Sequence, residues 1–151
     1  MYRFWKGGFE SGLFTPVVAA TTQGNLVVTY VRQFGYWSRI GGSKVFLAID
    51  LQFTPTFTTA AGPIRIVGSP TGAPLQGMIF LGPVYLRGNG AVTPTFPTGT
   101  TQLVTRLVGS GTLQFAGNGS AAPNGQNNLQ MSNFISGTSY FINASVDYIE
   151  A

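Results

Sequence analysis

Glu10, Asp50, Asp147 and Glu150 are the only four carboxylates in this 151-residue chain, and histidine and cysteine are absent. Without histidine the commonest general base and transition-metal ligand is missing. Without cysteine there is no thiolate nucleophile, thiolate metal site or disulfide, and nothing is implied about redox compartment. A glycosidase needs two carboxylates facing each other across a sugar, one with a raised pKa. Asp50 and Asp147 each fall mid-run on the polar side of an alternating segment, so one sheet could carry both. A solvated or interface polar face is the simpler reading of the pair. Calcium needs several oxygen ligands at short spacing, as in Asp-x-Asp-x-Asp, and nothing here resembles that. Lys44 is the base next to Ser43, but neighbours on a strand point to opposite faces. Gly88-Asn89-Gly90, Gly109-Ser110-Gly111 and Gly117-Asn118-Gly119 match neither GxGxxG nor a phosphate loop and read as hairpin loops. Asn118-Gly119-Ser120 and Asn143-Ala144-Ser145 match the glycosylation sequon, weak signals where no secretion signal is visible. The expectation is a protein without enzymatic activity, with no catalytic, cofactor-binding or metal-binding residues.

Composition points from chemistry toward assembly. Hydrophobic residues make up 44% and aromatics 13%, enough for a real core in one domain. Only 8% of residues are charged, against roughly 25% in an average domain. Such a surface is covered by Ser, Thr, Asn, Gln and Gly or by other chains, and twelve Phe favour extra buried area. Together these point to a homo-oligomer, the alternative being a monomer with a bland polar surface. The net charge of +4 comes from cations scattered singly (Arg3, Lys6, Arg32, Arg39, Lys44, Arg65, Arg87 and Arg106). No basic cluster or stripe is present, so no nucleic-acid partner is expected. No apolar run reaches the ~20 residues of a membrane helix, and none of signal-peptide length follows the N-terminal cations. The expectation is a soluble protein, cytosolic or released without a cleaved signal.

The elements that would carry these residues are strands. Val28 to Phe53 is the strongest signal. An aromatic strand, Thr29 to Ile40, meets Gly41-Gly42, whose freedom at positive φ suits a tight turn. Val45, Leu47, Ile49, Leu51 and Phe53 then alternate with Phe46, Ala48, Asp50 and Gln52, the period of a strand with one face in a core. Tyr140, Ile142, Ala144, Val146 and Tyr148 repeat that alternation near the C-terminus. Val17–Ala20, Ile64–Gly68, Gln102–Val108 and Leu113–Ala116 read as shorter strands, the last two as a hairpin. Met78–Leu86 reads as a strand buried on both faces, with Gly82 and Pro83 marking a bulge or sheet edge. Pro55 is expected to end the strand before it. No window carries a helical stripe. The expected fold is all-β, a jelly-roll-like antiparallel β-sandwich over residues 13–151 preceded by an N-terminal arm, residues 1–12. The arm is aromatic, cationic and too glycine-broken for a helix. Its Phe4, Trp5 and Phe9 either lie on another surface or close one end of the protein's own core.

A family resemblance rests on ordered segments between Gly12 and Pro70. Gly12-Leu13-Phe14-Thr15-Pro16 is followed by Gly35-Tyr36-Trp37-Ser38-Arg39-Ile40-Gly41, Lys44 to Phe53, and Ile64-Arg65-Ile66-Val67-Gly68-Ser69-Pro70. Ser136-Gly137-Thr138-Ser139-Tyr140 follows near the end. This order resembles a β-domain of tailed-bacteriophage virion proteins, common at the C-termini of tail fibres and tailspikes. The typical pattern has a G-x-W/F-T-P opening, an aromatic strand ending Y-x-R-I-G, a long alternating strand, an I-x-G-x-P segment and a closing G-T-x-Y strand. The match covers about two-fifths of the chain, and its specificity lies in order and spacing rather than in any one piece. The chain departs from a fibre pattern because it opens with Met1, has no repetitive shaft and reads as a complete single domain. Small free-standing jelly rolls of phage virions resemble capsid cement, or decoration, proteins, which sit as trimers on the shell.

What the resemblance implies is a virion structural protein, assembled in the host cytoplasm, that binds and stabilises the phage head as a homotrimer. Its partners would be itself and the major capsid protein. Tyr2, Phe4, Trp5 and Phe9 would form a capsid-contact arm, and Phe46, Ala48, Asp50 and Gln52 the contact between protomers. The alternative is a receptor- or glycan-binding domain of a tail fibre or head fibre. It would recognise host surface glycan through the loops Pro94–Thr101 and Asn118–Asn128.

Overall fold

The computed structural model describes residues 8–75, 81–90, 94–96, 100–108, 111–119 and 127–151. The chain runs β1 (Phe9–Phe14), β2 (Val17–Thr22), β3 (Val27–Ile40), β4 (Lys44–Thr56), β5 (Ala61–Val67), β6 (Leu81–Gly88), β7 (Thr100–Val108), β8 (Thr112–Gly119), β9 (Asn127–Asn128), a short 3-10 turn (Met131–Asn133) and β10 (Tyr140–Ile149). The protein is all-β. Nine strands follow one antiparallel path, β1-β3-β4-β10-β6-β7-β8-β5-β2, and β9 pairs with β8. The sheet curls into a half-barrel around one continuous core. Among the described residues no helix is long and apolar enough to cross a membrane.

β4 is the centre of the first half, between β3 and β10. Its alternation is complete: Val45, Leu47, Ile49, Leu51 and Phe53 are at most 4% exposed, while Phe46, Ala48, Asp50 and Gln52 are half-buried. β10 repeats the pattern in register, Tyr140 opposite Phe53 and Tyr148 opposite Val45. Burying one such aromatic contributes about 3–5 kcal/mol by its truncation cost. The Tyr140 hydroxyl, buried with its ring, accepts the Ile135 amide at 2.7 Å, and Phe134 stands edge-on to it at 4.8 Å. The turn between β3 and β4 uses Gly41 and Gly42 at φ 65° and 82°.

Three readings shift. The alternation carries through Pro55, so β4 reaches Thr56. Pairing with β10 stops at Phe53, so the missing Pro55 amide leaves no gap in that ladder. The expected double burial around Met78–Leu86 does not hold over the described part, where Leu81 and Tyr85 are 46% and 57% exposed. Gly82 and Pro83 are a corner instead. Val84 to Gly88 pair with β10, whereas Leu81 to Pro83 pair with β7, so one strand belongs to both halves of the sheet. The corner needs glycine because a Cβ at Gly82 would lie 1.8 Å from the Ser145 carbonyl oxygen.

The third shift concerns the N-terminus. The ladder begins inside the segment read as an arm: Phe9 to Phe14 pair without interruption with Ile40 to Gly35. The strand forms despite its glycine because aromatic rings fill the gaps. Trp37 lies over Gly12, directly opposite it, and Phe14 lies over Gly35.

Candidate functional site

The sequence singled out Phe46, Ala48, Asp50 and Gln52, and β4 holds all four on its outward face. The β3–β4 register adds Ser38, Tyr36, Phe34 and Arg32 directly opposite them. The β10 register adds Asp147, Ser145, Asn143 and Phe141, and β6 brings Tyr85 and Arg87 beside Asn143 and Phe141. Beyond β3, Leu13 of β1 lies opposite Tyr36, and Phe9 opposite Ile40. The result is a five-strand outward face, aromatic across its middle.

Its geometry mixes ring contacts with one polar knot. Tyr36 and Phe46 sit 6.4 Å apart at 56°. The Arg87 guanidinium lies 4.5 Å from the Phe141 ring centre. Asp50 accepts from Arg32 Nη1 at 3.0 Å and from Asn143 Nδ2 at 2.8 Å. A shallow concavity of about 420 Å³ opens between β4, β10 and β6, bordered by Ala48, Pro83, Tyr85, Asn143 and Ser145. Leu13 (68%), Tyr85 (57%) and Phe34 (47%) stand exposed. Exposed aromatic and aliphatic side chains thus alternate with polar and charged ones across one face, which makes it a candidate interaction surface.

Asp50 and Asp147 do share that face, but not a site. Asp50 stands opposite Asn143, four residues from Asp147 along β10, which places the two backbones about 14 Å apart at ~3.4 Å per residue. That exceeds the ~5–9.5 Å between the carboxyls of glycosidase pairs, and Asp50 is already held by Arg32 and Asn143. Among the described residues no three His, Cys, Asp or Glu gather as metal ligands.

The other two carboxylates close the end of the sheet. Arg39 Nη1 reaches Glu10 at 3.0 Å and Nη2 reaches Glu150 at 2.6 Å, with the Trp37 ring 5.5 Å from the guanidinium. Desolvation works against the Arg39 charge, but the hydrogen bonds and charges of Glu10 and Glu150 outweigh it and raise its pKa. Glu150 also accepts the Gly72 amide, and the Tyr148 hydroxyl donates to the Gly72 carbonyl at 3.3 Å. Burial raises the Tyr148 pKa, a Thr71 hydrogen bond opposing it. This cluster ties β1, β3 and the end of β10 to the 69–74 loop, which is structural work.

Of the expected arm, Tyr2, Phe4 and Trp5 lie outside the described residues, as do 97–99 and 120–126 of the two loops considered for glycan. Phe9 opens β1 and is 65% exposed. Sequence reasoning did not place Phe34, Tyr36, Leu13, Tyr85 or Phe141 with the β4 residues. For Phe34 and Tyr36 the signal was available: a hairpin closing at Gly41-Gly42 pairs even residues with even residues, hence Tyr36 with Ala48 and Phe34 with Asp50. β10 and β6 arrive from distant sequence and carry no such signal. The fold and this surface define an all-β protein whose prominent feature is an aromatic-rich sheet face. Comparison with protein-family models, with curated proteins and with solved structures finds no match to this chain.

Proposed function

We propose that this protein is a non-enzymatic structural component of a tailed-bacteriophage virion, a cement or decoration protein that stabilises the head as a homotrimer. The observation that carries the reading is the outward face of β3, β4, β10 and β6, which gathers Phe34, Tyr36, Phe46, Tyr85 and Phe141 and pairs its Asp50 with Arg32. Trimer contacts through Phe46, Ala48, Asp50 and Gln52 would cover it. The resemblance of the ordered sequence segments supports the reading. Gly12–Phe14, Gly35–Ile40 and Lys44–Phe53 lie on the adjacent strands β1, β3 and β4, and Ile64–Val67 lies on β5 in the other half of the sheet. In this proposal the two halves meeting at Gly82 are the leaves of a jelly-roll-like sandwich. Residues 1–7, with Phe9 at their root, reach the major capsid protein.

Co-sedimentation with capsids stripped of decoration tests it. Wild-type protein is expected to pellet with the shells, and removal of residues 1–7, which leaves β1 whole, is expected to abolish pelleting. Undiminished pelleting of the truncated chain removes the arm's role, and no pelleting of the wild type removes the capsid reading.

The receptor-binding reading keeps one specific support: exposed Tyr85 beside Asn143 and Ser145 in the shallow concavity, an aromatic plane with amide and hydroxyl groups suited to a sugar ring. Glycan-array binding lost in Tyr85→Ala would favour it over the capsid.

A further inference from the structure

We propose that the free edge of β1 is a docking site for a second copy of this chain, the two β1 strands pairing antiparallel about a two-fold axis at Ser11. The inference does not rest on the virion reading. It comes from comparing the two strands that end the nine-strand path.

β2 ends the path with its free side capped. The Val18 amide donates to the Tyr30 hydroxyl at 2.8 Å and the Ala20 amide to Gln23 Oε1 at 3.3 Å. The Pro16 carbonyl accepts Gln33 Nε2 at 3.0 Å, and the Ala20 carbonyl accepts Arg65 Nη2 at 3.3 Å. Positions 16, 18 and 20 alternate, as the groups facing away from β5 must. Nothing among the described residues caps β1 in this way. Among the described residues, the backbone of Phe9 to Phe14 bonds only to β3. Every second amide and carbonyl therefore faces outward. The usual deterrents to edge pairing are proline, lysine and a bulge. β1 has none of them: its sequence is FESGLF and its ladder is unbroken. Its single charge, Glu10, is held by Arg39.

The register and the partner follow from the side chains. Strands paired across a two-fold axis keep their faces, so opposed residues share a parity. Centred on Ser11, Phe9 meets Leu13 twice on the outward face, covering side chains that are 65% and 68% exposed alone. Glu10 then meets Gly12. Centring on Glu10 would oppose two carboxylates, and centring on Gly12 would set Leu13 against Ser11. Addition of β1 to the β2 of another copy would continue without closing, but β2 is capped. The complementary edge that remains is another β1, and the contact closes on itself. Six residues a side fall short of a standard interface area, so the pair forms reversibly. Its surface lies two strands from β4, so trimer contacts at β4 and pairing at β1 are compatible.

Light-scattering mass across a concentration series, with single substitutions at Ser11, tests the contact. Ser11 is exposed, so the folded monomer tolerates change there. The wild type is expected to double its mass as concentration rises. Ser11→Lys, which opposes two cations at the axis, is expected to remove the doubling while leaving far-UV dichroism unchanged. The chain has no cysteine, so Ser11→Cys supplies a single thiol whose only partner is its own copy. Under mild oxidation it is expected to form a disulfide dimer, while Val31→Cys, at a 74% exposed position, does not. A wild-type mass unaffected by Ser11→Lys, or cross-linking of Ser11→Cys no faster than Val31→Cys, overturns the proposal.

Discussion

β1 and β2 adjoin in sequence, separated by Thr15-Pro16, yet they end opposite sides of the same path. β2 is pulled inward: Val18 and Ala20 are buried and side chains from β3, β5 and the 23–25 turn satisfy its outer groups. β1 stays outside, with Phe9 and Leu13 turned to solvent. An edge facing its own molecule's interior is sealed by polar side chains from that interior. An edge facing away has only what its own residues carry, and in β1 that is one carboxylate, Glu10, already held by Arg39. The curl of the sheet thus gives one strand a structural end and leaves the other as the proposed contact.

The largest change to this comparison is expected from Gly82→Ala. The added methyl has no room against the Ser145 carbonyl, and the corner linking the halves must open, at about 3 kcal/mol or more. Denaturant unfolding should show both a lower midpoint and, if the halves separate first, a smaller slope.

Tyr30→Phe comes next. It leaves the Val18 amide without its partner, a loss of about 1–3 kcal/mol for a buried donor. It also makes β2 resemble β1. The expected consequence is growth beyond a closed pair at high concentration, readable by light scattering, because a second open edge permits head-to-tail addition. A variant that remains closed would show that Tyr30 is not the decisive cap.

The smallest effect is with alkali. Burial raises the pKa of Tyr30, against the opposing Val18 hydrogen bond, and raises that of Tyr148. Both phenols stay neutral in the fold while the unfolded chain ionises near 10.0. The native state then binds more protons, so stability is whole below that value and falls as pH rises through the folded pKa values. Thermal melts at increasing alkaline pH should show the decline, reduced in Tyr30→Phe, which deletes one of the two groups.

The β3–β4 hairpin, the core face of β4 and the matching face of β10 were legible in advance. Their alternation is unbroken, and two adjacent glycines mark the turn. Gly82-Pro83 announced an irregularity, but not that one strand changes partners there. β1 was hidden because Phe9-Glu10-Ser11-Gly12 has no apolar period of its own; it becomes a strand only when Trp37 and Phe14 fill the two glycine gaps. The outward face was half visible, since hairpin register supplies Phe34 and Tyr36, while Tyr85 and Phe141 come from strands joined to β4 only in three dimensions.

Taken alone, the residues determined the all-β class, the buried side of the two longest alternating runs and the absence of cysteine and histidine chemistry. Those properties depend on residue type and on a period of two. Tertiary structure decided that Asp50 and Asp147 stand too far apart to act together, that β2 is sealed and that no other described residue caps β1. Each depends on register between distant strands and on the direction of curl. Neither is set by neighbours in the chain.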